Sequence, residues 1–234
     1  MQGCYFILIG KLEGENHMAI EGLHVDVYDP TDLGSYDWRK VRDMEFTAYS
    51  SGGFSPSEAR SLLFIGECRG LERYIRSKTN PGSEVKKSLR GGQLISDPRM
   101  AIATVGEEIV GSMHVALHNT SGSWPMRMYK RYVDADRDYV VARGIAVART
   151  ARMQNVATIM GTKTLEVIAE AENAANRPIA AYVYEQKTPH VAGWLVDHSF
   201  ERTGEQKVNI AGGELLLARY AAPTVQGVYD SLRG

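Results

Sequence analysis

Gly144-Ile145-Ala146-Val147-Ala148-Arg149-Thr150-Ala151-Arg152-Met153-Gln154-Asn155-Val156-Ala157 is the stretch on which the reading of this chain turns. Together with the residues before it, Tyr139 to Val147 is apolar at almost every position, the pattern of a central strand buried on both faces. Ala148 to Ala151 is a short connection without glycine or proline. From Arg152 to Ala175, Val156, Ile159, Met160, Val167, Ile168 and Ala171 recur at helical spacing, which predicts a helix of about six turns. The first amides of such a helix have no intrahelical partners, and the helix dipole adds partial positive charge to them. A strand running into that helix end makes a site for phosphate oxygens, provided the side chains leave room.

Downstream, Asn176-Arg177-Pro178 stops the helix and Ile179 to Tyr184 reads as a strand. Thr188-Pro189 then restarts a helix that runs to about Asp197. Phe200 to Ile210 and Glu214 to Tyr220 read as a hairpin around Gly212-Gly213, and the tail from Pro223 as a loosely attached segment. Upstream, Pro98 to Val105 and Glu108 to His118 are two strands joined by the turn Gly106-Glu107. Ala19 to Tyr28 alternates apolar and polar residues, as a strand does. Asp37 to Tyr49 carries Trp38, Val41, Met44, Glu45 and Ala48, a helical stripe with one polar member. Ser55-Pro56-Ser57-Glu58 is a capping box, and Phe64, Cys68, Leu71 and Ile75 continue that helix to about Ser77. Asn119 to Asp138 reads as a long loop.

Strand-helix-strand over 139–184 calls for a parallel pair inside a mixed sheet. The expected organisation is an N-terminal extension over 1–18, one α/β domain over 19–222 and a C-terminal tail over 223–234. Residues 1–17 lack helical or strand patterning, so Met18 is a possible natural start. The chain has 234 residues, 44% of them hydrophobic and 24% charged, which supplies a sizeable core. A formal net charge of −1 gives no bulk reason to expect nucleic-acid or membrane binding. Cys4 and Cys68 are the two cysteines, and two lone thiols fit a reducing compartment. The apolar run Cys4 to Ile9 is too short for a signal peptide or for a membrane span of roughly twenty residues. A soluble, cytoplasmic protein is the expectation.

Within the opening stretch, Arg152 to Ala157 resembles the cofactor motif of the GNAT acetyltransferase superfamily, Gln/Arg-x-x-Gly-x-Gly/Ala. Arg152 matches its first position and Ala157 its last, while Asn155 replaces the usual glycine. Asparagine tolerates left-handed backbone angles better than most residues, which lets the turn survive. The element order over 19–220 is also similar to that superfamily's. The resemblance implies a mixed, mostly antiparallel central sheet flanked by helices, with acetyl-coenzyme A as cosubstrate. Arg152, Met153, Gln154, Asn155, Val156 and Ala157 would then hold the pyrophosphate, and the backbone of Ile145, Ala146 and Val147 the pantetheine arm. The implied activity is transfer of an acetyl group to an amine.

Transfer to an amine needs a proton acceptor for the amine and a proton donor for the leaving thiolate. Val141 stands where some members of the superfamily carry a carboxylate, and Leu195 where many carry a tyrosine. Asp138, through water, Tyr184 (with Tyr182 beside it) and His190 are the candidates left, with His198, Glu185 and Asp197 also near the expected cleft. His114 and His118 share one face of a strand, but no third metal ligand stands at suitable spacing, which leaves structural or substrate-contacting roles. Two basic runs, Arg69 to Arg90 and, interleaved with aromatics, Trp124 to Arg137, fit a solvated surface or a polyanion. Two alternatives to the acetyltransferase therefore stand. One is a catalytically inactive relative that binds coenzyme A or a partner, and the other is a nucleic-acid-modifying relative. The acceptor's class and the choice between monomer and homodimer are open at this stage.

Overall fold

The computed structural model describes residues 20–28, 38–62, 97–118, 139–152, 154–171 and 174–234. The expected extension, the Met18 start, the helix beyond Leu62, both basic runs, the 119–138 loop and Asp138 lie outside the described residues.

Strands β1 (Leu23–Tyr28), β2 (Asp97–Val105), β3 (Glu108–His118), β4 (Tyr139–Val147), β5 (Ile179–Val183), β6 (Glu201–Ile210) and β7 (Gly213–Ala222) form one sheet in the order β1-β2-β3-β4-β5-β7-β6. Helices α1 (Trp38–Ser51) and α2 (Pro56–Leu62) precede β2. Helix α3 (Val156–Ala171) joins β4 to β5, α4 (Pro189–Asp197) joins β5 to β6, and α5 (Val225–Arg233) follows β7. The β4–β5 pair is parallel and the other pairs are antiparallel, so the sheet is mixed and mostly antiparallel, as expected. The strand pattern alternates as the pleat requires: Ile179, Ala181 and Val183 of β5 enter the core that also holds Val156, Met160 and Leu165 of α3. Tyr182 packs instead against the cluster of Phe54, Ala59, Val208, Leu215 and Leu217.

Four differences from the sequence reading are seen. The strand expected from Ala19 begins at Leu23, because Gly22 turns the chain at φ 75° and the Leu23 amide donates to the Ile20 carbonyl. The helix expected from Arg152 begins at Val156 instead, after a 3-10 turn over Arg149–Ala151. Arg152 is extended (φ −67°, ψ 152°) and Asn155 is left-handed (φ 55°), so neither can be a helical residue. The tail expected to be loose is α5, with Thr224 Oγ1 accepting from the Gly227 amide and Val225, Val228 and Leu232 buried. Its first amide donates to the Arg177 carbonyl, and Leu232 packs against Gly161 of α3. The hairpin turns through Ala211 (φ 52°) and Gly212 (φ 84°), one residue earlier than the glycine pair suggests.

The capping box forms as its residues dictate: the Ser55 amide donates to Glu58 Oε2 at 2.7 Å and the Glu58 amide to Ser55 Oγ at 3.3 Å. That backbone bond, with further help from Lys187, holds the Glu58 carboxyl below the usual carboxylate range. Glu185 is lowered likewise by the hydrogen bonds of Arg202, despite partial desolvation. A carboxyl whose folded pKa is depressed binds a proton less readily in the folded than in the unfolded chain. The stability such groups contribute is present above the ordinary carboxylate pKa and is lost as pH falls through the lowered values. Urea midpoints at pH 7 and pH 3 are therefore expected to fall with acidification, and to fall less in Glu185→Gln.

Candidate functional site

The site starts from where two strands stop pairing. β4 and β5 pair only at Val140–Ile179, Val141–Ala180 and Ala142–Ala181. Beyond Ala181, Tyr182 and Val183 stay paired with Arg219 and Ala218 of β7, so β5 keeps to its other neighbour. On the β3 side, the register shifts between His114 and Val115: His114 faces Gly144 and Val115 faces Ala142, leaving Arg143 as the extra residue of a bulge. Pairing with β5 stops next to this bulge, and a bulge bends the strand that carries it. From Arg143 to Val147, about 16 Å of strand at the usual rise per residue, β4 keeps β3 on one edge and lacks β5 on the other. Such an edge accepts an extended chain through main-chain hydrogen bonds.

At the far end of this edge lies the start of α3. The Ala148 amide donates to the Val110 carbonyl, the 3-10 turn follows, and Asn155 at φ 55° reverses the chain so that α3 starts at Val156. The Asn155 carbonyl accepts from the Ile159 amide at 2.9 Å, so the amides of Val156, Ala157 and Thr158 form the free first turn. Val156 is buried against β3, where a side chain on Gly111 would begin 3.2 Å from its Cγ1. This contact fixes the direction of the helix end. Gln154 Nε2 donates to the Thr150 carbonyl, bracing the turn from outside.

Arg152 lies inward. Its Nε donates to the Val147 carbonyl at 3.2 Å, and its Nη2 to the Ala48 carbonyl at 2.8 Å and to Ser51 Oγ at 2.9 Å. The guanidinium thus caps the C-terminal turn of α1, where free carbonyls attract a cation. Partial burial, and then the Arg149 charge, lower its pKa. Arg152→Ala is expected to loosen the α1–loop junction and lower Tm by about 2–8 °C, given about 1–2 kcal/mol for the lost charged bonds, as differential scanning fluorimetry would read.

A polar cluster sits where β4 leaves β5. Glu45 of α1 is 2% exposed and accepts, at Oε1, a hydrogen bond from Ser112 Oγ at 2.8 Å. His114 Nε2 lies 3.1 Å from the same oxygen, its ring 6% exposed on β3. One turn after Glu45, Tyr49 packs edge-on against Phe54 at 6.0 Å between centroids, and Tyr184 packs on the same ring at 5.9 Å. Desolvation, and then the charges of Glu45 and Tyr184, push the Tyr49 phenol well above its ordinary value. Burial pushes Tyr184 up to about 12. Both phenols are therefore neutral hydrogen-bond donors at physiological pH.

No protein-family model and no curated protein matches the chain. Among solved structures, it is similar to a GNAT-family protein from Desulfovibrio desulfuricans, at TM-score 0.53 and 13% identity over 86% of this chain and 99% of that one. An acetyltransferase of the GNAT family from Streptococcus pneumoniae matches at TM-score 0.51 and 11% identity, over 85% of this chain and 98% of the other. Spermidine N-acetyltransferase from Vibrio cholerae, solved in complex with coenzyme A and spermine, matches at TM-score 0.51 and 11% identity over 89% and 99% of the two chains. The chain has the GNAT fold.

In that fold the residues singled out from the sequence fall at different places. Ile145, Ala146 and Val147 lie in the part of β4 that, among the described residues, has no pairing on the β5 side. Asn155, Val156 and Ala157 form the entry to α3, Gln154 braces it and Arg152 joins it to α1, while Met153 lies outside the described residues. Tyr184 comes to the polar corner. His190 lies in the first turn of α4, where burial, and then the Arg152 charge, lower its pKa. His198 packs edge-on against Trp194 and its Nδ1 lies 3.3 Å from the Ser231 carbonyl, a joint between α4 and α5. Glu185 is engaged by Arg202 and Tyr220, and Asp197 is exposed. Leu195 is buried in the core, so this part of α4 presents no hydroxyl. Among the described residues, no group of three or more His, Cys, Asp or Glu side chains is arranged to hold a metal ion. Likewise, no described helix is long and apolar enough to cross a membrane.

The sequence reading missed the Glu45–Ser112–His114 cluster and Tyr49. The signal was there: Glu45 is the polar member of the otherwise apolar α1 stripe.

Proposed function

We propose that this chain transfers an acyl group, acetyl, from its coenzyme A thioester to an amine. The observation that carries this reading is the parting of β4 from β5 after Ala142, with the open edge of β4 leading to the first turn of α3. The edge from Arg143 to Val147 would pair with the amide-bearing pantetheine arm, and the amides of Val156, Ala157 and Thr158 would face the pyrophosphate. The left-handed Asn155 supports this reading, because it supplies the turn that glycine makes in the motif. Ala157 has a small side chain, which leaves the phosphates room.

The chain's contribution to rate would come chiefly from holding thioester and amine together and from backbone amides at the bulge that polarise the thioester carbonyl. Tyr184, neutral and close to where the strands part, would donate its hydroxyl proton to the leaving sulfur. His190, neutral because its pKa is lowered, lies nearer Arg152 and would serve the phosphate end rather than the reacting carbon. The acceptor is an amine, a class that includes small amines, antibiotics, peptide termini and lysine side chains.

The test is release of free thiol from acetyl-coenzyme A in the presence of an amine panel drawn from those four groups. Amine-dependent thiol release with one acetylated product by mass spectrometry is the expected result. Saturable binding without release for any amine would make the chain a coenzyme A binder instead.

A further inference from the structure

Glu45 and His114 are buried titratable groups that acyl-donor binding does not use. A carboxylate taken out of water costs several kcal/mol, and a buried Glu–His pair rarely stabilises a fold better than apolar side chains of the same size. The neighbours of Glu45 on the α1 stripe, Val41 and Ala48, are apolar, so packing alone would be served by a leucine or methionine at position 45. The pair also stands at one particular place. His114 faces Gly144 across the β3–β4 ladder, beside the bulge next to which β4 stops pairing with β5. Gly144 has no side chain, and the first carbon of one would lie 3.5 Å from the Tyr49 hydroxyl and 3.7 Å from His114 Cδ2. Glycine there leaves the phenol and the imidazole facing the backbone of β4 where the strands part.

Resting on the acyl-transfer reading, we propose that Glu45 and His114 are the proton-accepting pair of this site. Together they take up the proton that the acceptor ammonium must lose, with the Tyr49 hydroxyl beside them at Gly144. Imidazole is the side chain suited to this charge change near neutral pH, and a carboxylate bonded to it stabilises the imidazolium that forms. Ser112 donates to the same carboxylate oxygen and fixes its orientation. Among the described residues, Tyr49 on α1 and Tyr184 after β5 are ionisable groups at this corner, with Arg152 tied to the next turn of α1.

The acceptor arrives as an ammonium. One proton passes to the pair, which goes from carboxylate and neutral imidazole to carboxylate and imidazolium. The freed nitrogen lone pair forms the C–N bond, the C–S bond breaks and the sulfur leaves with its electron pair. A second proton from nitrogen replaces the one Tyr184 gives to the thiolate, and the pair returns its proton to solvent. Ammonium and thioester thus become amide, thiol and one released proton.

The test uses the full chain, with Glu45→Gln and His114→Gln compared with the unaltered protein in kcat/KM from pH 6 to 10, in acetyl-coenzyme A Kd and in Tm. Expected is a loss of about 10²–10⁴-fold near pH 7 that shrinks as pH rises and the free amine becomes abundant, with Kd unchanged. A profile parallel to that of the unaltered protein, or unchanged activity, would assign the pair to packing and overturn the proposal while leaving acyl transfer standing. Absence of transfer to any amine by the unaltered protein would overturn both. If either variant fails to fold, NMR of imidazole nitrogens in the unaltered protein decides: a His114 ring locked in one protonation state from pH 5 to 9 contradicts the role.

Discussion

Replacing Ala157 with aspartate is expected to weaken acetyl-coenzyme A binding about 100-fold while Tm holds or rises slightly. A carboxylate there would stand in the first turn of α3, beside the amides of Val156, Ala157 and Thr158. At about 5 Å from a phosphate charge and an effective dielectric of about 20, the repulsion is about 3 kcal/mol, which is about 100-fold in Kd. The same carboxylate is favoured by the helix dipole, by about 0.3–1 kcal/mol. Affinity and stability therefore move in opposite directions. A general packing defect would move them together, so calorimetry with acetyl-coenzyme A beside a melting curve distinguishes the two. Ala157→Ser, which adds no charge, is expected to change Kd little.

Met160→Ala is the largest expected change in stability. Met160 is 0% exposed, one turn into α3, and packs against β3 at Gly111. Truncation to alanine leaves a cavity and is expected to cost about 2–5 kcal/mol, lowering Tm by about 4–20 °C. A side chain added at Gly111 would begin 3.0 Å from Met160 Cε and 3.2 Å from Val156 Cγ1. Gly111→Val alone is expected to cost about 1–3 kcal/mol by overpacking. In the double variant the valine enters space that Met160 has vacated, so the two losses are expected to sum to less than their separate values by about 1 kcal/mol. Urea denaturation of the four proteins checks this. Simple additivity would mean that α3 is not seated on β3 at this point.

Much of the sheet is legible in the sequence because local pattern and burial coincide. β2, β3 and β4 alternate or run apolar as their places in the sheet require, and Glu107 and Gly106 mark the turn between two of them. The left-handed Asn155 is legible too, since few other side chains tolerate that angle. The start of α3 is not. Arg149 to Gln154 contains no glycine or proline, and nothing local distinguishes an extended Arg152 from a helical one. What extends it is tertiary: its guanidinium reaches the last turn of α1, about a hundred residues earlier in the chain. The C-terminal helix is marked by Thr224 and the spacing of Val225, Val228 and Leu232, although segments near a terminus are often loose. The parting of β4 from β5 has no local sequence signature. It arises because three β5 residues pair with β4 and the next two pair only with β7, a matter of register between distant segments. Glu45 is an intermediate case, visible as a polar residue in an apolar stripe, while its partners Ser112 and His114 emerge only when β3 is laid beneath α1.

Amide hydrogen exchange with and without acetyl-coenzyme A locates the donor site. Protection on binding is predicted in the peptides that carry the open edge of β4, residues 143–147, and the first turn of α3, residues 156–158, and it is predicted to be lost in Ala157→Asp. Exchange unchanged in both segments at saturating ligand, or protection confined to other strands, would contradict a donor site between β4 and β5.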